Sequence, residues 1–151
     1  MQKQGSTLFK VASILLLIWG AIALIVNLIQ LIQYSGLLAL VGGGLVFAFI
    51  LLIASTAVMV IGGIMGLAGG KNPAKAKTFM IVGVIALALL LIGTIMILAS
   101  IGGGGVNWIF TFIGVILTVI YIVGSLQLKN LPVNPPTNNY GGPYNNPYNN
   151  Q

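Results

Sequence analysis

The stretch "IGGIMGLAGGKNPAKAK", Ile61 to Lys77, decides how the chain is read. An apolar, glycine-bearing segment runs into Gly69-Gly70 and then stops at three lysines set around Pro73. Glycines ahead of a lysine invite comparison with a phosphate-binding loop. That loop needs G-x-x-x-x-G-K-[ST], in which backbone N–H groups cradle phosphates and a hydroxyl holds magnesium. Here Met65 stands where the first glycine belongs, Asn72 replaces the hydroxyl, and Pro73 prevents a helix from following directly. The stretch divides instead into glycines that let helices approach and lysines that hold a loop on one side of a membrane.

Working outward, apolar runs flank this loop on both sides. A bilayer core about 30 Å thick needs about 20 apolar residues in a helix. Four segments are long enough: spans at 8–32, 45–68, 78–100 and 107–128, which together make residues 8–128 a transmembrane domain. Residues 1–7 precede it, 69–77 form the central loop, and 129–151 follow it. Composition agrees, since the chain is 58% hydrophobic and only 4% charged, far below the roughly 25% charged residues of an average soluble domain. Lys3 and Lys10 ahead of Ala21-Ile22-Ala23 resemble a secretory signal with its cleavage site. The apolar run nevertheless continues through "LIVNLIQLI", so an uncleaved first helix is expected.

The net charge of +6 comes from six lysines: Lys3, Lys10, Lys71, Lys75, Lys77 and Lys129. All fall before span one, in its first turns, in the central loop, or at the start of the tail. The two remaining loops carry none. By the positive-inside rule both termini and the central loop face the cytoplasm, with the lysines as topology and lipid-headgroup contacts. Lys10 can snorkel to the interface. Tyr34 and Trp108 then fall near the opposite interface. No lysine cluster has the interleaved aromatics of a nucleic-acid surface, so no nucleic-acid partner is expected. Lysine as the sole basic residue with abundant asparagine fits an AT-rich bacterial genome, and the expected location is the cytoplasmic membrane.

The chain has no Asp, Glu, His or Cys. Carboxylate dyads, Ser-His-Asp and Cys-His constellations and the usual zinc, iron and calcium shells all need residues that are missing. No catalytic residue, metal ligand, cofactor or small-molecule substrate is therefore assigned. Coupling of transport to protons or cations through a buried carboxylate is excluded.

Small or polar residues recur at seven-residue intervals in every span. The sets are Ser13, Gly20, Asn27; Ala48, Ser55, Gly62, Gly69; Ala86, Gly93, Ser100; and Thr111, Thr118, Ser125. Such a period keeps one seam facing the neighbouring helices and implies a compact, left-handed four-helix bundle. Gly62, Gly66 and Gly70 share one helix face and form a groove for another backbone, either within the chain or in a homo-oligomer. Gly20, Gly93 and Gly114 are further packing positions. Asn27, Gln30 and Tyr34 share a face, and a polar group at that depth costs several kcal/mol unless satisfied. Asn27 and Gln30 are thus polar candidates for an interhelical bond, a constriction or a ligand contact. "GGGLVFAF" from Gly42 and "GGGVNWIF" from Gly103 match at an offset of 61, pairing Phe47 with Trp108, Phe49 with Phe110 and Gly63 with Gly124; Phe9 and Phe79 align spans one and three at another offset. A duplicated hairpin with a pseudo-twofold along the membrane normal would produce this.

From Lys129 onward eight of 23 residues are Asn and five are Pro, which leaves too little apolar surface for a packed core. The tail is expected to be mobile, with Tyr140, Tyr144 and Tyr148 as stickers for self-association or a partner. The layout resembles that of tetraspan vesicle proteins, with both termini inside and a repetitive tyrosine-rich tail. It departs from them in lacking cysteine-bearing luminal loops and acidic residues. The functional expectation is a non-enzymatic tetraspan membrane protein acting through helix packing, self-association or recruitment of another membrane protein. The alternatives are a passive or holin-like pore, or an immunity protein against such an agent.

Overall fold

The structure is a computed structural model and describes residues 3–36 and 43–131. Four long helices account for nearly all of it: α1 (Lys3–Gln33), α2 (Gly43–Gly69), α3 (Ala76–Ile101) and α4 (Trp108–Lys129). Short 3-10 turns at Pro73–Lys75 and Gly103–Gly105 lead into α3 and α4. No strand occurs among the described residues. Each helix is long and apolar enough to cross a membrane.

The helix ends follow local chemistry. The side chain of Asn72 accepts a 3.0 Å hydrogen bond from the Ala74 N–H, and Pro73 opens the turn with its fixed φ. Asn107 sits just outside α4 as its N-cap and accepts from the Phe110 N–H at 3.3 Å. Gly102, at φ +73°, ends α3 in a conformation that side-chain-bearing residues rarely adopt. The first helix begins at Lys3, ahead of the expected boundary at Leu8, so the polar Gln4–Thr7 stretch joins it despite Gly5, whose cost in a helix is only about 1 kcal/mol.

The helices form an antiparallel ring in which α1 packs on α2 and α4, and α3 packs on α2 and α4. One end of the ring carries the lysines and is called the lysine end below. The other, with Tyr34 and the Gly102–Gly105 segment, is the loop end. Nine members of the seven-residue sets are buried (Ser13, Gly20, Ala48, Ser55, Gly62, Ala86, Gly93, Thr118 and Ser125), and the other four are half-buried. The outward faces are apolar instead: Ile95, Ile109 and Phe112 are 63%, 71% and 62% exposed. Only 28% to 39% of each helix's most apolar window is buried. A water-soluble bundle would reverse this pattern.

Packing along α1 and α2 is set by glycine. A Cβ on Gly63 would lie 2.6 Å from Leu17 Cβ, 2.8 Å from its Cα and 2.9 Å from its backbone nitrogen. One on Gly20 would lie 3.1 Å from both Met59 Cβ and the Val60 nitrogen. The two helices thus approach backbone to backbone from both sides, with close van der Waals contact along the seam.

Centre of the bundle and a candidate functional site

The middle of the ring differs at its two ends. Toward the lysine end it is closed by aromatic rings. Phe9 of α1 stacks on Phe79 of α3 at 5.0 Å and meets Tyr121 of α4 at 5.1 Å. All three side chains are at most 1% exposed. The Tyr121 hydroxyl donates to the Gly62 carbonyl oxygen at 2.9 Å, tying α4 to α2 across the ring.

Toward the loop end the rings pair along the wall instead, Trp19 with Phe110 at 4.9 Å and Tyr34 with Phe49 at 5.7 Å, and a chamber of about 30 Å³ remains beside them. All four helices contribute to its wall, including Trp19 and Asn27, Thr56, Thr94 and Thr111. Gln30, Val106 and Asn107 border both this chamber and a wider vestibule of about 380 Å³, which Tyr34, Gly104, Trp108 and Ile109 complete. The two, joined at these three residues, are called the funnel below; it lies toward the loop end, and none of Phe9, Phe79 and Tyr121 lines it. The chamber exceeds the roughly 10–15 Å³ that one water needs, while the vestibule is a shallow depression largely open to its surroundings.

Which polar groups the funnel offers is decided by hydrogen-bond accounting. Most hydroxyls bond back to their own helix, as serine and threonine do in apolar surroundings. Ser13 donates to Phe9 O at 2.8 Å, Thr94 to Leu90 O at 2.8 Å, and Thr118 to Gly114 O at 2.7 Å. Thr56 reaches both Leu52 O and Ile53 O, and Ser100 and Ser125 follow the same habit. Ser55 instead crosses to Ala86 O at 2.8 Å, joining α2 to α3. Among the described residues the side chains of Asn27, Gln30 and Thr111 have no hydrogen-bond partner, although the Gln30 carbonyl accepts from the Tyr34 N–H and the Thr111 N–H donates to the Asn107 carbonyl. No buried polar side-chain atom there lacks a partner, so these three keep access to the open space of the funnel. The funnel wall carries no charged residue.

The sequence-assigned positions fall as follows. Gly62, Gly66 and Gly70 are all buried on one face that this chain fills itself. A Cβ on Gly62 would meet Val82 and the Tyr121 hydroxyl, one on Gly66 would collide with the Ser13 hydroxyl, and one on Gly70 would collide with the Gly66 carbonyl and meet Phe9. Gly93 lies against Leu52 and the Ala48 carbonyl, and Gly114 against Leu90 at 3.2 Å and Trp19 Nε1 at 3.6 Å. Asn27 and Gln30 share the chamber wall, and Gln30 and Tyr34 share the vestibule wall. Lys10, Lys71, Lys75, Lys77 and Lys129 are exposed at one end of the ring, remote from the funnel. The side chain of Lys3 and the tail tyrosines Tyr140, Tyr144 and Tyr148 lie outside the described residues.

Sequence reasoning missed Tyr121, Gly63 and Gly83. A phenol in the middle of an apolar span is itself a signal, because a buried tyrosine hydroxyl needs an acceptor. Gly83 would place a Cβ 2.7 Å from Ile122 Cγ1; nothing in one sequence separates it from the other glycines. The proposed repeat receives divided treatment. Phe9 and Phe79 meet each other across the ring, as a twofold requires. Gly63 and Gly124 both pack on α1, at Leu17 and Phe9, and so do not occupy equivalent hairpin interfaces.

No family model, curated protein or solved structure matches the chain. The fold and site therefore define a class: a small four-helix protein with an apolar exterior, a glycine-packed interior and a blind, uncharged funnel.

Proposed function

We propose that the chain is a non-enzymatic, multi-pass protein of the cytoplasmic membrane that acts by holding partners, either further copies of itself or another membrane protein. Both termini and the lysine end face the cytoplasm, where residues 130–151 provide the contact. The apolar exterior supports a lipid environment, and the lopsided lysines support the orientation. The seven-residue period of small residues supports a left-handed supercoil, and the Phe9–Phe79 contact supports descent from a duplicated hairpin.

The observation that carries the reading is the aromatic closure by Phe9, Phe79 and Tyr121. With the centre filled there, a single copy offers no through-path, and its outer faces and ends are left to act. The test is removal of residues 130–151 in cells, alongside reconstitution of the full chain in liposomes. Truncation should abolish localisation or co-isolation of partners, while liposomes bearing the full chain stay tight. Rapid release of a trapped dye by the full chain would sink the reading. It would favour the second one, a passive or holin-like pore, to which the funnel at the loop end lends its only support. An immunity protein would instead change sensitivity to a membrane-active toxin with no leak of its own.

A further inference from the structure

We propose that the funnel is a binding site for one uncharged, hydroxyl-bearing group with the chemistry of a sugar. The group arrives either as a free solute or as the headgroup of a lipid in the leaflet at the loop end. The inference rests on the membrane reading above, because only in lipid does the loop end present the funnel to an interface.

Charge narrows the ligand first. The chain has no carboxylate, so a cation would find no counter-charge. Every described lysine side chain is at the opposite end of the ring, so an anion would find none either. A purely apolar occupant would leave the amides of Gln30 and Asn27 and the hydroxyl of Thr111 facing it without hydrogen bonds, at a cost of roughly 1–3 kcal/mol for each buried group. What remains is a neutral group rich in both donors and acceptors. The carboxamide of Gln30 supplies both, an acceptor oxygen and a donor NH2. The Asn107 oxygen is already engaged by the Phe110 N–H, which leaves its NH2 for a ligand.

Shape narrows it further. Tyr34 and Trp108 stand on the vestibule wall; Tyr34 stacks one face on the buried Phe49 at 5.7 Å and Trp108 tilts against Phe112 at 6.2 Å, which holds both rings in place and leaves one side of each for the vestibule. Flat aromatic faces beside neutral amides suit a molecule that is apolar on its C–H faces and polar around its edge. The body of the ligand must sit in the vestibule of about 380 Å³, because the chamber of about 30 Å³ accepts only a water-sized group.

The chain contains two tryptophans, Trp19 and Trp108, and Trp19→Phe leaves Trp108 as the sole reporter in the vestibule. With this variant in phosphatidylcholine nanodiscs, acrylamide quenching is measured while methyl glucoside is titrated in solution. In a parallel series, glucosyl diacylglycerol is titrated in the bilayer. At least one glucose-bearing probe should shield Trp108 saturably. Glucose 6-phosphate and phosphatidylglycerol, the charged counterparts, should not. Gln30→Leu and Tyr34→Leu should each raise the half-saturating concentration about fivefold, the loss of roughly one hydrogen bond or ring contact. Shielding by methyl glucoside assigns a free solute, and shielding by the glycolipid alone assigns a lipid headgroup. Equal shielding by neutral and charged probes overturns the site. So does absence of shielding by either glucose probe, or shielding unchanged in both variants. Failure of the chain to insert as a helical protein, read by circular dichroism, would overturn the membrane reading and the site with it.

Discussion

The hydroxyl of Tyr121 donates to the carbonyl oxygen of Gly62 at 2.9 Å, joining two helices that face each other across the ring rather than side by side. The bond takes the backbone carbonyl; a Cβ on Gly62 would stand in ordinary contact with the tyrosine oxygen at 3.6 Å and press on Val82 Cγ1 at 3.1 Å, so the missing side chain serves the packing on α3. A glycine that sequence marks as a packing position is thus also a hydrogen-bond acceptor for a residue 59 positions away.

Tyr121→Phe should therefore lower stability by about 1 kcal/mol, the usual worth of one interhelical hydrogen bond in apolar surroundings. Tyr121→Ala should cost about 3–5 kcal/mol, because it also empties the space against Phe9. Unfolding in mixed detergent micelles, followed by circular dichroism, gives both values. Equal losses for the two variants would mean the ring packing contributes nothing.

Gly63→Ala should destabilise more than Gly62→Ala. The added methyl at Gly63 meets the Leu17 backbone, which cannot rotate away, whereas at Gly62 it meets the end of the Val82 side chain. Overpacking of this kind costs about 1–3 kcal/mol. Gly103→Ala, with nothing within 4 Å, serves as the unperturbed comparison. The same unfolding transition ranks the three.

Ser55→Ala should cost about 0.5–1.5 kcal/mol, since it leaves α2 without its side-chain hydrogen bond to α3. Thr94→Val should be nearly neutral, because the Thr94 hydroxyl bonds only within its own helix and the Leu90 carbonyl keeps its helical partner. The same unfolding transition measures both, and equal losses for Ser55→Ala and Thr94→Val would mean that the interhelical bond adds nothing beyond a local one.

Phe9→Ala combined with Phe79→Ala should convert the blind funnel into a leak for small neutral solutes. Glycerol-driven swelling of proteoliposomes reads this directly. The intact chain should show swelling no faster than empty vesicles, and the double variant should exceed it clearly, as the closure at the lysine end is built from these two rings and Tyr121. Tight vesicles from a folded double variant would show that the surrounding apolar side chains close the centre without the rings.

Sequence by itself determined the four apolar helices, their antiparallel order and the collection of lysines at one end. Each follows from a term that acts locally: about 20 apolar residues per span, Gly and Pro at the breaks, and charge excluded from apolar surroundings. It also marked the inward face, since the small residues at seven-residue spacing are all buried or half-buried. Only the tertiary structure decided what fills the centre. Phe9, Phe79 and Tyr121 lie on three different helices, and their meeting depends on how those helices are rotated and offset within the ring. The same rotation brings Asn27, Gln30 and Thr111 to a space that no side chain fills, while Ser13, Thr94 and Thr118 turn to their own backbones. Spacing along a helix states which residues share a face; it cannot state which residue of a distant helix stands opposite. That is why Gly62 could be read as a packing position, while its bond to Tyr121, and the blind funnel beyond it, could not.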